Sequence, residues 1–141
     1  MNPHVLFAED DPSIRESFAA ILKLEGAAVT VCASAAEACQ RLATEIYDLV
    51  ITDMRMETPT AGWNVVRTAR ALEYHPSIVV MTAFPIPKSD LRRFHIQAIL
   101  SKGMATSSMI AKLRELIRQA AARSATHRPK KNEHDSVTRH A

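Results

Sequence analysis

Val5-Leu6-Phe7-Ala8-Glu9-Asp10-Asp11-Pro12 is the stretch whose reading decides the architecture. A short, unbroken apolar run of this kind suits a strand buried on both faces, and here it leads straight into three carboxylates. Asp11 followed by Pro12 reads as an N-cap with proline at the first helical position, so the strand gives way at once to a helix. Leu49-Val50-Ile51-Thr52-Asp53 repeats the design, a brief β-rich run that ends on a carboxylate. Where two such strands lie side by side, hard oxygen ligands converge at one edge of a sheet, and Mg2+ would screen their mutual repulsion.

The same alternation continues outward. Val29 to Cys32, Ile78 to Thr82 and Ala98 to Ser101 are further short apolar runs. Between them Ile14, Phe18, Ile21 and Leu22 recur at one-helix-face spacing, as do Val65, Val66, Ala69 and Leu72, and Met109, Ile110, Leu113, Leu116 and Ile117. Gly26 stands where a left-handed residue closes the first helix, and Ser34 with Glu37 reads as a capping box. Pro85 and Pro87 delay a fourth helix, leaving roughly two turns around Leu91 and Phe94. Five strand-helix units with short connections predict right-handed crossovers, hence an α/β fold with a doubly wound, five-stranded parallel sheet and helices on both faces. Ligands of such sheets bind at the carboxyl ends of strands beside a topological switch point. Glu9 and Asp10, Asp53, Thr82 and Lys102 all lie at such ends. Carboxylates, a hydroxyl and an ammonium together suit a phosphoryl group and its metal.

Length and composition bound the alternatives. With 141 residues and 47% hydrophobic content the chain buries one ordinary core. Cys32 and Cys39 lack the spacing of a zinc site or redox pair, and no stretch reads as a signal peptide or membrane span, so a cytoplasmic protein with reduced thiols is expected. The formal charge is +3. Residues 1–122 hold 13 of the 18 basic and 13 of the 15 acidic side chains, so the surplus lies in residues 123–141, expected as a disordered basic tail. Its Arg128-Pro129-Lys130-Lys131 cluster has no aromatic neighbours for stacking on nucleic acid, which favours a solubilising role.

The chain resembles the receiver domains of two-component response regulators, a flavodoxin-like fold. The resemblance is carried by Ala8-Glu9-Asp10-Asp11-Pro12-Ser13-Ile14-Arg15, Asp53-Met54-Arg55-Met56, Met81-Thr82-Ala83 and Ser101-Lys102, in order and in register, over about residues 4 to 122. It implies that Asp53 takes a phosphoryl group from a histidine kinase or histidine phosphotransfer protein, with charge neutralisation and alignment as the catalytic need. Asp10, Asp53 and the carbonyl of Arg55 would ligate Mg2+ directly, and Glu9 would act through a bound water. Lys102 would pair with Asp53 and then with the phosphoryl oxygens, and the Thr82 hydroxyl would draw the following loop inward. The plainer readings are that Glu9 or Thr82 is a cap or loop ligand, that Asp11 is only a cap, and that Trp63, Met54 and Met56 pack.

Four departures from the family pattern bear on the readout. Ile99 stands where an aromatic residue usually swings inward, so aromatic switching is expected to be absent or carried by Phe84. Gly103 replaces a usual proline, which predicts a looser loop after Lys102. Glu57-Thr58-Pro59-Thr60-Ala61-Gly62 is about one residue long, and Glu57 is expected to place an extra carboxylate at the rim. The segment from Thr82 to Lys102 is short. Arg55 and Phe84 flank the path of attacking water, which predicts slow hydrolysis of the phosphoaspartate. Residues 123–141 are too few for a helix-turn-helix unit, so no DNA-binding domain is expected and the output would be a protein contact. The competing readings are a pseudo-receiver that binds a partner without phosphorylation, and an unrelated phosphatase, disfavoured because Arg55 stands where a second aspartate would be needed.

Overall fold

A computed structural model describes residues 2 to 127. The elements alternate throughout: β1 (His4–Ala8), α1 (Pro12–Leu24), β2 (Ala28–Cys32), α2 (Ala35–Thr44), β3 (Leu49–Asp53), α3 (Ala61–Arg70), β4 (Ser77–Thr82), α4 (Lys88–Arg93), β5 (Ile96–Ser101) and α5 (Thr106–His127). The strands form one parallel sheet in the order β2-β1-β3-β4-β5. The chain steps from β1 outward to β2, then crosses back to place β3 on the other side of β1. The switch point therefore lies between β1 and β3, the two strands that end in carboxylates.

Burial explains why these strands carry no polar alternation. Residues 49–53 and 77–82 are buried without exception, because helices cover both faces. Leu6, Ala8, Val50, Ile78 and Val80 point into the layer closed by α2 and α3, and Val5, Phe7, Leu49, Ile51, Val79 and Met81 into the layer closed by α1 and α5. Successive residues of one strand thus serve opposite cores.

The expected punctuation is present. The Asp11 carboxylate accepts from the amides of Ser13 and Ile14, with Pro12 following. Gly26 has φ +100° in the turn after α1. Ser34 Oγ accepts from Glu37 N, while the Glu37 carboxylate reaches Ala33 N instead of the Ser34 amide of a strict capping box. α4 has six residues, no fully buried side chain and no side-chain cap. α5 runs to His127, beyond the boundary expected at residue 122, and the remainder of the expected basic tail, 128–141, lies outside the described residues. Among the described residues no helix is long and apolar enough to cross a membrane.

Candidate functional site

The site begins with backbone register. β1 pairs with β3 from Val5–Leu49 to Ala8–Thr52, so Glu9 and Asp53 leave the sheet side by side. β3 pairs with β4 through Asp53–Met81, and β4 with β5 through Thr82–Ser101. Lys102 N then donates to Thr82 O at 3.1 Å, which carries the lysine to the same rim.

The side chains converge. One carboxylate oxygen each from Glu9, Asp10 and Asp53 lies within 4.8 Å of the others. Lys102 Nζ donates to Asp53 Oδ2 at 2.7 Å and stands 3.5 Å from Glu9 Oε1. Asp53 and Glu9 are buried, whereas Asp10 is exposed and gives the cluster its opening. Burial pushes the Glu9 carboxyl up to about 7; the Asp11 amide opposes the rise and the Asp10 and Asp53 carboxyls add to it. Burial works against the Lys102 charge, but the Asp53 carboxylate, helped by Glu9, holds the ammonium above its ordinary value. Two buried carboxylates and one ammonium leave the rim short of positive charge.

The donor set fits a small divalent cation. Among the described residues Glu9 Oε1 is buried without a hydrogen-bond partner, an unsatisfied acceptor that a metal or its water would satisfy. Three carboxylates, one of them open to solvent, match a metal that keeps several waters. Asp11, read as a cap, is one: its side chain lies on the α1 amides and only its backbone N–H, at 3.3 Å, touches Glu9.

Other residues depart from expectation. The Thr82 hydroxyl donates to Phe84 O at 2.9 Å and accepts from Phe84 N at 3.0 Å, so it is clamped by its own loop. The Arg55 guanidinium sits 5.7 Å over the Phe84 ring, and that ring is 59% exposed. Arg55 N lies 3.4 Å from Asp53 Oδ1. Glu57 does not crowd the rim: its carboxylate accepts from Ala35 N at 2.9 Å and Ala36 N at 3.1 Å, at the amino end of α2. Burial raises its carboxyl, and the amide hydrogen bonds outweigh that and leave it below the usual range. Helix-end amides and dipole attract the carboxylate more strongly than an already acidic rim would. Trp63 packs against Phe94 with the rings tilted by 49° and centroids 5.0 Å apart, and lines, with Arg55, Thr82 and Phe84, a groove of about 290 Å³.

Two supporting residues were not singled out from the sequence. Arg15 Nη1 donates to Glu9 O at 3.0 Å and Asp10 O at 3.3 Å, bracing the acidic turn from the first turn of α1. Gly62 sits where an added Cβ would lie 2.4 Å from Asp53 O, and its N–H donates to Met54 O at 2.9 Å. A glycine at the second position of a helix, where no turn demands one, was the legible signal.

These elements define an α/β protein whose carboxyl-edge switch point gathers an acidic, cation-seeking cluster and a paired lysine. The chain belongs to the response regulator receiver domain family, whose profile matches residues 5–114. No curated protein sequence matches it. Among solved structures it is similar to a response regulator receiver protein from Pseudomonas putida, at 29% identity and TM-score 0.70, covering 84% of this chain and 98% of that one. It is also similar to the response regulator protein TrrA from Thermotoga maritima, solved in complex with Mg(2+)-BeF, at 27% identity and TM-score 0.68, covering 82% and 99%. The receiver domain of a sensor histidine kinase from Pseudomonas aeruginosa PAO1, which holds a magnesium ion in its active site cleft, is similar at 22% identity and TM-score 0.68, covering 84% and 99%.

Proposed function

We propose that Asp53 is a phosphoacceptor that takes its phosphoryl group from a phosphohistidine of a kinase or phosphotransfer protein in the cytoplasm, and that the chain signals by protein contact. One observation carries the reading: Lys102 Nζ lies 2.7 Å from Asp53 Oδ2 while Glu9 Oε1, 3.5 Å from the same ammonium, has no hydrogen-bond partner among the described residues. A nucleophilic carboxylate is thereby flanked by a cation and by an unsatisfied acidic pocket.

Asp10, Asp53 and the Arg55 carbonyl would hold Mg2+ directly and Glu9 through water; when bound, the ion supplies positive charge that balances the phosphoryl oxygens. An Asp53 carboxylate oxygen forms the new P–O bond, the P–N bond of the donor breaks, and the donor imidazole leaves with the electron pair and takes a proton. Lys102 stays beside the product oxygens as a compact point charge. Thr82 must give up its two Phe84 contacts to reach the phosphoryl group, so the β4–α4 loop moves as a consequence of phosphorylation. The Arg55–Phe84 pair closes one flank of the rim and slows hydrolysis of the acyl phosphate.

Intact-mass analysis after incubation with Mg2+ and acetyl phosphate tests the assignment. One added phosphoryl group is expected in the wild type and none in Asp53→Ala. The Thr82 clamp favours one second reading, a pseudo-receiver with a fixed β4–α4 loop. A wild type that binds Mg2+ yet stays unlabelled even with a cognate kinase would replace the first reading with it.

A further inference from the structure

At the opposite edge of the sheet, the amino ends of β4 and β5 border a cleft of about 610 Å³. Arg70 enters it from the last turn of α3, His75 from the α3–β4 connection, His95 from the turn after α4, and Arg123 from α5. Among the described residues no carboxylate lines it, although acidic and basic side chains balance over residues 1–122. Four cationic or protonatable side chains from separate elements therefore share one concavity.

The backbone is arranged for this. His75 and His95, at φ 49° and 54°, are the two non-glycine residues with left-handed backbone among those described. Such conformations cost free energy and concentrate where a side chain must be aimed. The β4–β5 register slips between Ile78–Ile96 and Val79–Ala98, leaving Gln97 unpaired at the cleft wall, and irregularities of this kind favour binding sites. Arg70 Nη2 lies 3.1 Å from His95 Nε2. Guanidinium only donates, so that ring nitrogen accepts. Arg123 donates to Ser77 Oγ and, at 3.2 Å, to His75 O. Basic residues at helix carboxyl ends commonly answer the helix dipole, which accounts for Arg67, Arg92 and Arg93. Arg70 shares that position in the last turn of α3, and its guanidinium reaches across the cleft to the His95 ring.

We propose that this cleft is a binding site for a small phosphate-bearing molecule, separate from the phosphorylation site. Phosphate oxygens would offer Arg70 a stronger, charge-assisted partner than a ring nitrogen, and Ser77, whose hydroxyl oxygen accepts from Arg123, supplies a neutral donor for a remaining oxygen.

The full chain is titrated with inorganic pyrophosphate and separately with AMP, in EDTA so that no metal bridges the ligand to Asp53, and followed by NMR of the histidine rings and arginine Nε–H groups. Saturable shifts of His75, His95 and Arg70 are expected. Arg70→Gln should weaken binding by about tenfold or more, with an unchanged thermal midpoint showing that it still folds, and Asp53→Ala should leave binding unaltered. Pyrophosphate binding without AMP binding would narrow the ligand to free polyphosphate. The proposal is overturned by failure to saturate, by equal affinity in Arg70→Gln, or by shifts that vanish in a triple Arg128→Ser, Lys130→Ser, Lys131→Ser variant but persist in Arg70→Gln.

Discussion

The ends of β1 and β3 and the ends of β4 and β5 stand at one rim of one sheet, yet they are built to different standards. On the first side Glu9, Asp10 and Asp53 are braced on every flank: Arg15 holds the carbonyls of the acidic turn, Gly62 lets α3 sit against the end of β3, and Lys102 crosses to pair with Asp53. On the second side the Thr82 hydroxyl bonds to Phe84 of its own loop, the Phe84 ring is mostly exposed, and α4 is two short turns with no buried side chain. Chemistry needs charges placed before the donor arrives, because preorganised groups cost no reorganisation in the transition state. Readout needs a segment whose two positions differ little in free energy, and weakly packed elements supply it.

The strongest way to break this contrast is to remove the lysine. Lys102→Met is expected to lower the rate of labelling by acetyl phosphate by about a hundredfold, while Mg2+ binding, followed by Trp63 fluorescence, tightens because three carboxylates lose their competing cation. Equal loss of labelling in Thr82→Ala would show that both sides are needed alike and erase the distinction.

Gly62→Ala comes next. A methyl group there meets the Asp53 carbonyl, so the variant should lose roughly 1–3 kcal/mol of stability in urea unfolding, the usual cost of overpacking, together with part of its Mg2+ affinity. Gly103, where an added Cβ would meet nothing nearer than Ser101 Oγ at 4.0 Å, should tolerate alanine with little change, which sharpens the comparison between the two sides.

Acidity gives the third handle. Because burial raises the folded pKa of Glu9 to about 7 from 4.5, the native state holds a proton that the unfolded chain has released across that window. Without metal, this contribution to stability is present below about pH 4.5 and is lost as pH rises through about 7. Mg2+ must displace the same proton, so its affinity should rise over the same range, by about tenfold per pH unit below the transition if one proton is released. Thermal midpoints at pH 5.5 and 8, with and without Mg2+, should therefore move in opposite directions.

The smallest effect is expected at the rim of the readout side. An exposed cation–π contact is worth about 0.5–1 kcal/mol, so Phe84→Ala should free Arg55 and speed loss of the phosphoryl label by about two- to fivefold. Slower loss would mean that the pair does not shield the acyl phosphate.

How much was legible followed the range of the interactions. The five strands, the Asp11 and Ser34 caps, the left-handed Gly26 and the weak fourth helix depend on neighbours within a few residues, and all were readable. The convergence of Glu9, Asp53 and Lys102 was readable too, because parallel strands of this connectivity bring their carboxyl ends to one edge. Glu57 was misplaced for the opposite reason. Its destination, the amides of Ala35 and Ala36, lies on a helix 21 and 22 residues upstream, and nothing local distinguishes that partner from the acidic rim beside it.

The five-stranded parallel sheet, the cation-seeking edge and the family therefore follow from the amino-acid pattern, since hydrophobic periodicity and end-capping act over short range and restrict the topologies available. Tertiary packing alone decided that Thr82 faces Phe84, that Gly62 must lack a side chain, and that Arg70 meets His95 at the far edge. Those outcomes depend on which of several polar partners ends nearest once the helices have docked, and the competing contacts differ by no more than a hydrogen bond.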